Sequence, residues 1–255
     1  MTEKRNIKPY LAGLIILIVV SAGIFIGLKN RNQPCKGISV EYNPNVHDTI
    51  IGIHEIIEIA QQTADSIIGC PMNNLPKKEI ITALVASPFI ENAQINFGLH
   101  GTLNIRVTLT TVIVRVINMA NKHYYIDYKG KLIPTGTSPV RLPVATGYIS
   151  PKIKPNGDVF EEGKELLYDL YLIGKEIGNN PFMNALTEQI YVNRDKKYEL
   201  IAKAGIKNIV LGDATNLKEK FDKLKLFYEQ KLPYIDRDKY KKLDISFDNQ
   251  IIAQK

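Results

Sequence analysis

The feature that most constrains this chain is an uncharged run of 19 residues, Tyr10–Leu28 (YLAGLIILIVVSAGIFIGL). As a helix rising about 1.5 Å per residue it reaches about 28 Å, close to the ~30 Å hydrocarbon core of a bilayer. Tyr10 stands at one end, where aromatic side chains favour the headgroup level, and Lys8 and Lys29 bracket the run. A cleaved signal peptide fits less well, because its apolar core spans only about 7–15 residues. Lys29, Asn30 and Arg31 follow instead of a small-residue cleavage site, and Gln33-Pro34 before Cys35 does not resemble a lipoprotein signal. The expectation is an uncleaved transmembrane helix over 10–28, with a tail at 1–9 and a linker at 29–36. Lys4, Arg5 and Lys8 before the helix balance Lys29, Arg31 and Lys36 after it. The local positive-inside count is therefore tied, and a short basic tail only leans toward the cytoplasm.

Beyond the anchor the chain has the means to build a core. It is 45% hydrophobic and 23% charged, which excludes the polar, highly charged composition of a disordered protein. Thirteen tyrosines and many β-branched residues lean toward strand. The net charge of +7 is spread among acidic residues without a block of like charges. Nucleic-acid binding needs clustered cations to collect phosphates, so that class is set aside. The two cysteines, Cys35 and Cys70, have no zinc-like spacing. They are either two free thiols or, outside the cytoplasm, a disulfide.

The order of elements follows from periodicity. GISVEY (37–42) alternates Ile38, Val40 and Tyr42 as a strand does, and Asn43-Pro44-Asn45 is a turn. Asp48 or Thr49 is placed to cap a helix over 50–64, with Ile53, Ile56, Ile57 and Ala60 on one face. A second helix starts near Pro76, carries Ile80, Ile81, Leu84 and Val85, and stops at Ser87-Pro88. Strands at 90–97 and 102–110 close a β-α-α-β-β module over 37–110. The remainder, 111–255, reads as a mixed β domain with flanking helices at 160–177 and 216–231. The second of these carries Leu217, Phe221, Leu224 and Tyr228 as an apolar stripe beside a solvated lysine face. Strands are expected at 111–117, 124–127, 131–134, 140–148, 189–193, 198–202, 206–211, 240–247 and 250–253. The fold class is thus α+β.

Chemistry is not evident in this pattern. His54-Glu55-Ile56-Ile57-Glu58 opens like the zinc motif H-E-x-x-H, but Glu58 stands where the second histidine belongs. A solvated helix face is the plainer reading. Glu161 and Glu162 fall at a helix start, where carboxylates favour the helix dipole. No nucleophile elbow, phosphate loop or dinucleotide fingerprint is present, so no catalytic, metal or cofactor site is expected and no small-molecule substrate is implied.

Several fragments, in order, carry a resemblance. ALVASPFIENAQINFGLHGTLNIRV (83–107) looks like the second half of a POTRA domain. HYYIDYKGKLIP (123–134), LPVATGYI (142–149), IVLGD (209–213) and YKKLDISFDNQIIAQK (240–255) resemble the β domain of the FtsQ/DivIB family of bacterial cell-division proteins. Two positions depart from that pattern. Thr110–Val114 followed by Arg115 replaces an Arg-x-Pro, and Ser246-Phe247 replaces an Arg-Tyr. The resemblance implies a non-enzymatic scaffold of the divisome, anchored once in the inner membrane with its folded part in the periplasm, at the division septum. It implies FtsB and FtsL as partners, other divisome proteins at the POTRA-like domain, and a role in control of septal peptidoglycan synthesis. The alternatives are another POTRA-bearing envelope protein that assembles or secretes outer-membrane proteins, or an anchored periplasmic enzyme such as a hydrolase.

The C-terminal strands are the expected partner surface. Leu243, Ile245 and Phe247 alternate with Asp244 and Ser246, and the chain ends at Lys255 with no later strand to pair. An unpaired edge is a template for strand addition, and the resemblance points to a segment of FtsB adding there by β-augmentation. Phe247 is the expected aromatic anchor, with Ile245, Asp248, Asn249, Gln250, Ile251 and Ile252 around it. The competing expectation is that Phe247 and Ile245 only fill the core.

Overall fold

The computed structural model describes residues 16–21, 33–42, 50–63, 66–152, 157–161, 164–236 and 239–255. Most of the expected anchor 10–28, the turn at 43–45, the Asp48 or Thr49 cap and Glu162 lie outside these residues. Within the apolar run, 16–21 is helical and Ile16–Val20 are exposed. Among the described residues no helix is long and apolar enough to cross a membrane. The chain divides into two compact units, one containing 33–42 and 51–109 and the other 110–255.

The first unit is built from strand β1 (Gly37–Tyr42), helices α1 (Ile53–Gln62) and α2 (Lys77–Ala86), and strands β2 (Ile90–Phe97) and β3 (Thr102–Leu109). β3 is central, parallel to β1 and antiparallel to β2, with Ile105 opposite both Val40 and Ile95. Its period-two pattern buries Leu103, Ile105, Val107 and Leu109, as a sheet covered on one face requires. Ile56, Ala60, Ile80 and Leu84 are the buried side chains of the two helices, each worth about 1.5–3 kcal/mol for the large ones. Ile53, expected on the buried face, is instead 47% exposed. The helix begins at it, and the Gly52 N–H is satisfied by the Glu55 carboxylate at 2.5 Å. Ile53 thus lies in a first turn fixed by a polar bond, not by packing.

The second unit is one nine-stranded sheet. Its strands are β4 (Val112–Ile117), β5 (His123–Asp127), β6 (Leu132–Pro134), β7 (Val144–Gly147), β8 (Thr187–Val192), β9 (Tyr198–Ala202), β10 (Asn208–Gly212), β11 (Lys242–Asp244) and β12 (Ile252–Gln254). In space they run β12-β11-β10-β9-β8-β7-β4-β5-β6. β7 is parallel to both β4 and β8, and β10 is parallel to β11. Three helices serve these joins: α3 (Glu165–Asn179), α4 (Pro181–Leu186) and α5 (Leu217–Gln230). Parallel neighbours need a crossover, which α5 provides between β10 and β11. Phe221 and Leu224 of α5 are fully buried with Leu211, Leu243 and Ile245 in one core. α3 approaches β4 through Gly174, where an added Cβ would stand 2.0 Å from a Val114 methyl.

Two helices of the second unit differ from expectation. α3 starts at Glu165 and not near Phe160, because Glu161 is used in the preceding turn: it accepts from the Asp158 N–H at 2.7 Å and pairs with Lys164 at 2.8 Å. α4 was not expected at all. Asn180 caps it by accepting from the Phe182 and Met183 N–H groups, and Pro181 fills the first turn. The C-terminal strands are also shorter than expected, three residues each at β11 and β12.

Three antiparallel hairpins share one turn chemistry. Asn118, Asp127 and Asn193 each accept at Oδ1 from the N–H groups two and four residues on, at 2.7–3.0 Å. Three residues after each stands a left-handed residue: Asn121 (φ 56), Gly130 (φ 84) and Lys196 (φ 58). The side-chain acceptor satisfies N–H groups that the turn removes from the ladder. Asn193→Ala should therefore lower stability by about 1–2 kcal/mol. Lys196→Gly should raise it by up to about 1 kcal/mol, because glycine carries no Cβ penalty at positive φ. Denaturant titration checks both, and the same sign for the two variants would contradict this account.

Candidate functional site

The C-terminal edge is assembled by the alternation of β9, β10 and β11. Tyr198, Leu200, Ile209, Leu211 and Leu243 turn inward to the core. Glu199, Val210, Lys242 and Asp244, the residues between them, line an open groove of about 530 Å³ together with Asn193, Lys197, Asp213, Ser246, Phe247 and Gln254. The groove floor is internally paired: Lys242 meets Glu199 at 3.1 Å and Lys197 meets Asp213 at 3.8 Å. Its outer wall is β12, antiparallel to β11 and last in the sheet, so its far side pairs with no strand among the described residues.

The expected partner residues are divided by this geometry. Ile245 is fully buried in the core, and its N–H donates to the Val210 carbonyl at 3.0 Å. It supports the edge from beneath and offers no surface, the placement that the competing core expectation describes. Phe247 is 45% exposed and Ile252 is 37% exposed. Asp248, Asn249 and Gln250 are exposed in the loop between them, and Ile251 packs partly against the core. The period-two reading that put Ile245 and Phe247 on one face fails because β11 ends at Asp244. There the Asp244 carboxylate accepts from the Ser246 N–H at 3.0 Å and hydroxyl at 2.6 Å, turning the chain before Phe247.

Two lysines of α5 hold this edge, and sequence reasoning placed both on a solvated face. Lys223 donates to the carbonyls of Ile245 at 3.2 Å, Asp248 at 3.4 Å, and Phe247. One ammonium thereby ties down three backbone carbonyls beside the exposed ring; partial burial pushes its pKa down. Lys220 is buried and donates to the Asp213 carboxylate at 2.9 Å and carbonyl at 3.1 Å. The Thr215 hydroxyl first, and Lys220 second, hold the Asp213 carboxyl well below the usual carboxylate range. A carboxylate depressed in the fold stabilises above its unfolded pKa of about 3.9 and loses that contribution as pH falls toward the depressed value. Asp213→Asn should therefore melt below the parent protein near neutrality, and the gap should narrow steadily as pH falls from about 4 to about 2. A gap that stays constant over that range would refute the assignment.

Elsewhere the surface offers little chemistry. His54 and Glu58 form an exposed i,i+4 pair at 3.3 Å on α1. Among the described residues no group of three or more His, Cys, Asp or Glu side chains is placed to hold a metal.

No curated protein matches the chain. Residues 33–108 match the family described as POTRA-like domain, which covers the first unit. Residues 111–254 match the family described as FtsQ/DivIB, C-terminal related, a span that includes every strand of the nine-stranded sheet and the open edge at β12. With more than half its length in that match, the chain belongs to the FtsQ/DivIB family of bacterial cell-division proteins.

Proposed function

We propose that this protein is a non-enzymatic, membrane-anchored scaffold of the bacterial divisome that recruits its partner by strand addition at β12. The observation that carries the reading is the outer side of β12, which pairs with no strand among the described residues, beside exposed Phe247 and Ile252 in a sheet of the FtsQ/DivIB type. In this reading residues 10–28 are the transmembrane anchor, 37–110 a POTRA-like domain and 111–255 the partner-binding β domain, with the folded part in the periplasm at the septum. The partners are FtsB- and FtsL-like single-pass proteins, through which the chain helps control septal peptidoglycan synthesis.

The physical basis is simple. An edge strand presents backbone N–H and C=O groups that an extended partner segment satisfies, while side-chain pockets select the sequence. The polar groove floor is already paired with itself, so it asks little of a partner. The energy of binding then falls on the apolar rim, where a buried aromatic is the usual hot spot. Lys223 contributes indirectly by holding the loop carbonyls that carry Phe247.

The test begins with co-purification from membranes, which should recover small single-pass coiled-coil proteins. Phe247→Ala should weaken that binding by about 2 kcal/mol or more. Its melting temperature should barely move, since the side chain is already half exposed. Deleting 249–255 should abolish binding while β4–β10 stay folded. A truncated chain that folds and binds as tightly as the intact one would defeat the edge-strand mechanism.

The placement has its own check. A reporter enzyme that works only outside the cytoplasm, fused at Lys255, should be active, and a cytoplasm-only reporter should be silent. The reverse pattern would overturn the topology.

A further inference from the structure

Both cysteines of the chain lie in the first unit, and the backbone brings them face to face. The segment Gln33–Cys35 runs antiparallel to Cys70–Met72 through a bridge between Pro34 and Pro71. The Met72 N–H donates to the Gln33 carbonyl at 3.2 Å, and the Cys35 N–H donates to the Cys70 carbonyl at 2.9 Å. The Gly69 N–H closes the far end on the Cys35 carbonyl at 2.7 Å. Cys35 and Cys70 are each one step from the bridged prolines, so they oppose each other across the ladder with side chains on the same side. Opposed residues of antiparallel strands have Cα atoms about 4.5–5.5 Å apart, inside the range of about 4.4–6.8 Å that a disulfide spans. Both thiols are free in this structure and rest on nearby carbonyls, Cys35 on Gly37 and Cys70 on Pro71. These are weak S–H bonds, and side-chain rotation frees both sulfurs from them.

We propose that Cys35 and Cys70 are a redox site that closes to an intramolecular disulfide by exchange with a donor disulfide, protein or glutathione. Their unequal burial sets the order. Cys70 is partly exposed and Cys35 is buried at 1% exposure. The Cys70 thiolate, having lost its proton, attacks one sulfur of the donor, and the other donor sulfur leaves as a thiolate. The Cys35 thiolate then attacks the Cys70 sulfur and expels the second donor sulfur. The two chain thiols give up two protons and two electrons, and the donor disulfide takes them as two thiols. The new bond encloses β1 and α1 in one covalent loop. It fastens the segment by which the chain enters the first unit to the turn that precedes α2. The chemistry stands on the structure alone; only its occurrence in the cell rests on the periplasmic placement proposed above.

The experiment uses the full chain, purified reduced and then equilibrated with oxidised glutathione without denaturant. Alkylation, digestion and mass spectrometry should show a peptide pair linked through Cys35 and Cys70, lighter by two hydrogens, with no thiol left to label. The chain should remain single on a non-reducing gel, and reduction should lower its melting temperature by about 4 °C or more. Cys35→Ser should stop the reaction at a glutathione adduct on Cys70, whereas Cys70→Ser should leave Cys35 largely unmodified. Two thiols still free at equilibrium, stable glutathione adducts on both, or links only between chains would overturn the proposal. A chain that closes in vitro but is isolated from cells fully reduced would uphold the site and count against the periplasmic placement.

Discussion

The second unit depends on one constraint: β11 must lie parallel to β10, so the chain has to leave the sheet, cross its buried face and return. α5 makes that crossing and is held down by Phe221 and Leu224 in the core. Everything at the C-terminal edge follows from where it lands. β11 takes its register from β10, with Leu243 opposite Ile209, and β12 folds back on β11. The same helix brings Lys220 to Asp213 at the end of β10, and Lys223 to the carbonyls just beyond β11. A change that tilts α5 would therefore be felt at the edge strand even though no residue of the helix forms part of that strand.

Under the proposed function, this arrangement separates two tasks that a binding edge must combine. A free edge has to be stable enough to hold its register and open enough to accept a strand. Burial of Ile245 and the Lys223 bonds provide the first, and both act from the core side. Exposure of Phe247 and Ile252 provides the second. On the groove floor Glu199 and Lys242 already satisfy each other at 3.1 Å. Membership of the FtsQ/DivIB family places this sheet in a bacterial cell-division protein.

Much of this was legible in the residues. Alternation in 102–109 marked β3 and its buried set correctly, because a strand with one covered face must repeat at two residues. Pro76 and Ser87-Pro88 bounded α2, since proline fixes the backbone locally whatever surrounds it. The apolar stripe Leu217, Phe221, Leu224 and Tyr228 located the buried face of α5. Composition and resemblance together indicated an α+β chain of the right family.

What sequence alone determined, then, is whatever is settled within a few residues: the uncharged run at 10–28, the strand and helix periods, and the prolines that bound α2. What only the tertiary structure decided depends on groups far apart in the chain. Lys223 looks like any lysine on a solvated helix face until the fold brings it against carbonyls 22–25 residues later. Ile245 and Phe247 share a parity that suggests one face, yet β11 ends at Asp244, and Ile245 enters the core that holds Phe221 and Leu224 while Phe247 stands at the surface. Cys35 and Cys70 show no motif because their approach is made by backbone bonds between two segments and not by spacing. In each case the deciding energy is a hydrogen bond or a burial between residues that sequence order keeps apart, and only the packed chain brings them together.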